Sequence, residues 1–309
     1  MAVGPPDAAG RDGSVPRYAD RALPPKPYDE GEKRMRDRLV SLFSDDGVLE
    51  GTPAASGAAA PASASASAAD EDDDAYVAKL DGLLADLRGK ASLGGLGASG
   101  SDGPKATVDL ITDDHGHTAL HWASALCRLK LVRTLTARPP WQGGANVHAG
   151  NHAGETALHR SVLVTNSYDA SSFPKLLHLL SSSLNTRDFK KRTVLHHISL
   201  VAALKGRAAS ARYYLACVLE HISAEKSSKY KGLVDAQDED GETALGIVAR
   251  LGNASMVRML LDVGARKDLP NALGIRPSDW GIESGGDNAS TLSQNDGGSI
   301  AGASTVSSL

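Results

Sequence analysis

Apolar positions in the middle of the chain recur in pairs of short helical stripes. The clearest pair places Leu245, Ile247, Val248 and Ala249 on one helix and Met256, Val257, Leu260 and Leu261 on a second, with Gly264-Ala265 ending the unit. Two further stripes precede this region. Met35, Leu39, Leu42 and Phe43 fall on one face of a helix expected over 29–46, with Lys33, Arg34, Arg36 and Arg38 around it. Tyr76, Leu80, Leu83, Leu84 and Leu87 form a comparable face over 75–88. A helix of about a dozen residues is marginal alone, so each needs something to pack on. Elsewhere the pattern fails. Residues 1–28 hold six prolines and are expected to be disordered. An Ala/Ser/Gly/Pro stretch followed by Asp70–Asp74 makes 47–74 a linker, Gly and Ser interrupt 92–103, and the tail 282–309 has no Lys or Arg and few apolar groups.

The paired stripes are headed by a repeating hexapeptide. Gly116-His117-Thr118-Ala119-Leu120-His121 recurs as Gly154-Glu155-Thr156-Ala157-Leu158-His159, as Lys191-Arg192-Thr193-Val194-Leu195-His196 and as Gly241-Glu242-Thr243-Ala244-Leu245-Gly246. Gly274-Ile275-Arg276-Pro277 is a partial fifth copy. From Thr118, the third position advances by 38, 37, 50 and 33 residues. The last spacing and the Thr-x-Leu-His core match the ankyrin repeat. Pro139–Gly143 accounts for an excess of five residues in the first repeat, and 17 extra residues of the third lie between Ala202 and Leu233. The expected fold is an all-α ankyrin-repeat solenoid over 106–281, four repeats plus a partial fifth with insertions, flanked by disordered segments. Thr118, Thr156, Thr193 and Thr243 are expected to cap the first helix of each repeat. Leu120, Leu158, Leu195 and Leu245 pack between repeats, and His121, His159 and His196 bridge backbone groups of neighbours. The 75–105 segment is expected to be a capping helix and linker; a partner-binding role for the same stripe is the alternative.

Charge and candidate chemistry narrow the class. Residues 1–105 hold 12 basic against 18 acidic residues (net −6), residues 106–281 hold 21 against 16 (net +5), and residues 282–309 hold three acids alone. Such a balance does not suggest a basic nucleic-acid binder. No run of about 18 apolar residues predicts a membrane span. The first thirty residues hold no apolar stretch of a secretory signal. Two cysteines, Cys127 and Cys217, are too few for a disulfide framework and fit a reducing, intracellular setting. All ten histidines lie between His115 and His221. Those at motif positions are spaced by roughly the 10 Å separation of packed helices, so no metal site is expected. With no nucleophile motif or phosphate loop, no catalytic residue and no cofactor are expected either.

Repeat stacks bind through turn tips and inner helix faces. The candidate partner contacts are therefore the tip residues His115, His117, His152, Glu155, Lys191, Arg192, Asp240 and Glu242, running from neutral or basic toward acidic. Lys226, Lys229 and Lys231 in the third insert are a second candidate. Lys190-Lys191-Arg192 reads as a solvated turn, with an import patch or phosphate contact as alternatives. Lys33–Arg38 is the better import candidate, and Thr52-Pro53 is the one site for a proline-directed phosphate.

Finer segments carry a resemblance beyond the generic repeat. Asp113–Ala123, Glu155–Val162 with Thr165–Asp169 and Phe173, Thr193–Ile198, Ala211–Leu215, and Pro270-Asn271 before Gly274 resemble the fungal MBF/SBF-type cell-cycle transcription factors. The resemblance covers 106–281, with a looser echo in the 29–43 helix. It implies a nuclear role at the G1-to-S transition, in complexes that pair a DNA-binding subunit, carrying a KilA-N/APSES domain, with a regulatory ankyrin subunit. Nothing before Pro104 resembles that DNA-binding domain, and a Ser/Gly tail stands where the family's association helices would be. The expectation is a regulatory scaffold acting through protein contacts, with a DNA-binding subunit as partner and no direct nucleic-acid, membrane or small-molecule partner. The alternative is a DNA-binding member of the same family lacking its KilA-N domain, and a generic cytoplasmic ankyrin adaptor is the third reading.

Overall fold

The computed structural model describes residues 108–282 except 226, 227 and 231, residues 21–44 except 27, 29 and 31, and residues 74, 77–82 and 85. Four helix pairs stack in two layers. The inner layer is α2 (Ala119–Ala125), α4 (Ala157–Val162), α7 (Val194–Val201) and α9 (Ala244–Arg250), each packed on the next. An outer layer of α3 (Leu129–Thr136), α6 (Phe173–Leu180), α8 (Ala208–Ala224) and α10 (Ala254–Asp262) runs behind it, and a one-turn helix α5 (Asn166–Asp169) sits between α4 and α6. A 3₁₀ turn at Pro277–Trp280 closes the stack on α9, as the partial fifth motif predicts. Among the described residues β-structure is limited to isolated bridges.

Small and branched residues at the repeating motif explain the inner layer. Ala119, Leu120, Ala157, Leu158, Val194, Leu195, Ala244 and Leu245 are all buried in one hydrophobic cluster that runs the length of the array. No single repeat of two short helices could bury such a surface alone. The extra residues take three forms. Pro140–Gln142 form a 3₁₀ turn in the first repeat, and α5 is the second repeat's addition. In the third repeat the outer helix lengthens to 17 residues, against eight or nine in α3, α6 and α10.

Tyr214 fastens two of these additions together. Its hydroxyl donates to the Val164 carbonyl (2.8 Å) and accepts from the Tyr168 amide (3.2 Å), which seats the α5 turn on α8. Tyr214 is fully buried, and burial raises its phenol well above the ordinary value. Phe173 packs against it at 4.7 Å, and Tyr213 closes a T-shaped contact with Tyr168 at 5.5 Å.

α1 (Lys33–Ser44) covers the first repeat. Leu39, Leu42 and Phe43 enter the common core, and so does Leu80 from the helical segment over 77–82. Arg36 fixes the helix by donating to the Ile111 and Thr112 carbonyls at 3.1 and 3.4 Å. Tyr76, Leu83, Leu84 and Leu87 lie outside the described residues, as do 1–20, 45–73, 86–107 and 283–309. Of the acidic run only Asp74 is described, paired with Lys130 at 2.9 Å.

Residues 21–26 fall in the stretch expected to be disordered, yet they lie extended across three repeats. Arg21, Leu23 and Lys26 bridge in parallel to Arg187, Ala149 and Leu110. The Ala22 and Leu23 amides donate to Arg187 and His148 carbonyls (2.8 and 2.9 Å), and the Leu23 carbonyl accepts from Gly150 (2.8 Å). The bonds use backbone groups just ahead of Pro24 and Pro25, whose restricted dihedrals already favour an extended chain. Proline argues against a central strand and permits an edge strap of this kind.

Candidate functional site

The loops between repeats form a ridge, and a five-fold set of side chains that motif reading overlooked builds it. Asp113, Asn151, Asp188, Asp238 and Asn271 each stand five residues before the motif's third position. In every case Oδ1 accepts two backbone amides of its own loop. Asp113 takes those of His115 and His117, Asn151 those of Ala153 and Glu155, and Asp188 those of Lys190 and Arg192. Asp238 takes Asp240 and Glu242, and Asn271 takes Leu273 and Ile275. All ten distances lie between 2.8 and 3.0 Å. Asp and Asn serve equally because the bond needs one carboxyl or amide oxygen.

A rung of one backbone bond joins each loop to the next. His152, Phe189, Glu239 and Ala272 amides donate to the carbonyls of His115, Ala153, Lys190 and Asp240 at 2.8 to 3.1 Å. At Gly154 the approach is so close that a Cβ would lie 2.6 Å from the Phe189 amide, and φ is +80°. Glycine alone suits both conditions.

Behind the tips the motif histidines tie helix starts to the following loop. The Thr118 amide donates to His121 Nδ1 at 3.1 Å, and His121 Nε2 lies 2.9 Å from the Glu155 carbonyl. An amide can only donate and a carbonyl only accept, so the ring is neutral with its proton on Nε2. His196 repeats the arrangement between the Thr193 amide (3.1 Å) and the Glu242 carbonyl (3.0 Å). Burial pushes His121 down to about 3 and lowers His196 as well. His159 differs. Its Nδ1 accepts from Thr156 at 3.1 Å, but its buried Nε2 finds no hydrogen-bond partner among the described residues. The His197 ring packs edge-on against it at 4.8 Å, and burial first, then that neighbour, depress its pKa strongly. The bridging role expected of all three histidines thus holds for His121 and His196 only.

The candidate partner residues divide into two groups. His115, His152, Lys191 and Asp240 are exposed on the ridge. The other four are committed to the array. His117 is buried, with Nδ1 2.7 Å from Asp113 Oδ2 and Nε2 3.1 Å from Asn151 Nδ2. Glu155 accepts from Asn151 Nδ2 at 2.9 Å and pairs with Arg160 at 3.5 Å. Arg192 bonds Asp238 Oδ2 at 3.3 Å, and Glu242 accepts from Asn271 Nδ2 at 2.9 Å. Sequence position alone places all eight at the tips, whereas the loop cap turns the residue before each motif threonine inward. Lys190, Glu239 and Leu273, not among the candidates, are exposed on the same ridge. Of the third-insert lysines, Lys229 is exposed, while Lys226 and Lys231 lie outside the described residues.

Carboxylates under the ridge are held ionised. Burial raises Asp188, but the hydrogen bond from His197 (2.9 Å) and the Arg192 amide outweigh it and leave the carboxyl below its ordinary value. Asp113 behaves alike, burial being outweighed by His117. No group of three or more His, Cys, Asp or Glu side chains among the described residues could hold a metal ion. Cys127 is half-buried, with Sγ 2.7 Å from Ser172 Oγ, and Cys217 is buried.

Known proteins resemble this chain. The family pattern described as "Ankyrin repeat" matches residues 240–272, the fourth repeat. The transcription factor SWI6 of Pyricularia oryzae is 36% identical over 62% of this chain and 24% of its own length. The Start control protein cdc10 of Schizosaccharomyces pombe is 42% identical over 57% of this chain and 23% of its own. This chain therefore spans about a quarter of the length of the curated relatives it matches. The solved ankyrin-repeat fragment of S. cerevisiae SWI6 superposes with a TM-score of 0.58 at 28% identity, covering 85% of this chain and 91% of the fragment. Over its repeats the chain is thus an ankyrin-repeat stack similar to parts of the fungal cell-cycle transcription regulators SWI6 and cdc10.

Proposed function

We propose that this chain is a non-catalytic ankyrin scaffold, the regulatory part of an MBF/SBF-like complex that controls G1-to-S transcription in the nucleus. The observation that carries the reading is the likeness of the stack to the SWI6 ankyrin fragment, joined to relatives named as transcription factors and a Start control protein. Its action is protein contact. The loop ridge offers exposed His115, His152, Lys191 and Asp240 to a partner, and the caps and rungs beneath hold those positions in fixed register. A DNA-binding subunit is the partner the reading requires.

The test is affinity purification of the tagged protein from its own cells through a synchronised cycle, with chromatin immunoprecipitation in parallel. Co-purification of a KilA-N-bearing subunit and enrichment at promoters fired in late G1 are expected. Exclusion from the nucleus, or absence from chromatin at every stage, overturns the reading. A KilA-N domain in the same polypeptide would replace it with that of a DNA-binding member of the family.

A further inference from the structure

The third loop concentrates positive charge that no described carboxylate pairs with. Arg21 and Arg187 are partners in one parallel bridge, so their backbones lie side by side at this loop. The Arg21 guanidinium lies over the Phe189 ring, 5.1 Å from its centre, and Lys190 and Lys191 follow at the exposed tip. None of these four cations forms an ion pair among the described residues. The carboxylate beneath them, Asp188, spends Oδ1 on the Lys190 and Arg192 amides and Oδ2 on His197. Like charges brought together at a rigid surface repel one another, and an anion from outside relieves that repulsion.

A second observation comes from the backbone. At the position of Lys191 (φ +60°) the other four loops carry Gly116, Gly154, Gly241 and Gly274, with φ from +73° to +80°. Lysine disfavours that region, and glycine would remove the strain. A strained, exposed lysine beside unpaired cations is the signature of a contact that outweighs local stability.

From this geometry we infer that the third loop is a docking site for a phosphorylated peptide segment of a partner protein, held by Arg21, Arg187, Lys190 and Lys191. A guanidinium carries a planar fork of donors suited to phosphate oxygens, and the two lysines act as point charges. Nucleic acid fits less well. The next tip carries exposed Glu239 and Asp240, which would oppose an extended polyanion laid along the ridge. Asp74, the described residue of this chain's acidic run, is paired instead with Lys130 on the outer helix of the first repeat. The assignment stands apart from the cell-cycle reading, because it concerns the purified chain.

The test is fluorescence anisotropy with the full chain. Three labelled probes are compared: a short peptide with one phosphoserine between glutamates, its unphosphorylated twin, and a DNA duplex. The phosphopeptide should bind, its affinity falling with salt, and the twin should bind more weakly. Lys191→Gly and Arg187→Gln should each weaken phosphopeptide binding roughly fivefold, while melting shows both variants folded. Unchanged affinity in both variants, equal binding of the twin, no binding of the phosphopeptide, or tighter binding of the duplex each overturns the assignment. Such failure would leave co-purification with a DNA-binding subunit untouched.

Discussion

Mild acid should weaken the array well before its carboxylates titrate. His121, His159 and His196 are buried and held neutral, with His121 pushed down to about 3 and the other two below 6.5. Once the chain unfolds, each ring returns to an ordinary value near 6.5. A group that binds its proton only after unfolding contributes its stability in full above pH 6.5. That contribution falls as pH drops through 6.5 and continues to fall toward the folded pKa. Between the unfolded and folded values the loss is about 1.4 kcal/mol per pH unit for a ring. His121, with its folded value near 3, alone gives up about 1.4 kcal/mol between pH 7.5 and 5.5, and His159 and His196 add to the loss in the same direction, against the 5–15 kcal/mol typical of a folded domain. Asp113 and Asp188, whose carboxyls are depressed, enter only below about pH 4. Urea titrations followed by far-ultraviolet circular dichroism, at about pH 7.5, 6.5 and 5.5, measure the effect directly. The unfolding midpoint should drop with little change in slope, and His159→Leu should flatten the pH dependence. A midpoint that stays constant between pH 7.5 and 5.5 would refute the neutral, Nε2-protonated assignment of these rings.

Other outcomes test the architecture. Leu158→Asp places a carboxylate at a position only 1% exposed between two inner helices. It should abolish the cooperative melt, and full retention of helicity and melting behaviour would contradict the repeat assignment. Asp238→Ala strands the Asp240 and Glu242 amides and the Arg192 guanidinium. A loss of about 2–3 kcal/mol in urea unfolding is expected, and a change below about 0.5 kcal/mol, ordinary for surface sites, would deny the loop cap its role. Lys191→Gly should raise stability by about 1 kcal/mol through relief of the left-handed backbone. A lower melting temperature would show that the Lys191 side chain supports the fold.

The repeat was legible because the inner helices face the same neighbours four times. Identical surroundings select the same small, branched and apolar residues at Ala119, Leu120 and their equivalents, so spacing alone located the layers. The loop caps were harder to see. Asp and Asn alternate at that position, both abound in turns, and only alignment on the threonine marker reveals the shared offset. Nothing local marks His159 as different, since its orphaned Nε2 depends on where the His197 ring from the next helix comes to rest. The strap at 21–26 shows no periodicity because it is held by backbone groups, which every residue but proline possesses alike. Of the eight tip residues proposed as contacts, half are committed to the array, all of them directly before a motif threonine, a distinction that the loop conformation sets and composition does not show.

The strap has a consequence for how the molecule assembles. A repeat stack is nearly one-dimensional, each unit sensing only its neighbours, and such arrays can fray from either end or open in stages. Arg21 bridging to Arg187 and Lys26 bridging to Leu110 close a long circuit over the first three units. Those bonds cannot form until the loops carrying Leu110, Ala149 and Arg187 are already aligned, so the strap closes late. Once closed, it makes opening of any one of the three units break contacts belonging to all of them. The strap thus couples the first three units, and the fourth repeat, which the described strap does not reach, lacks that added tie.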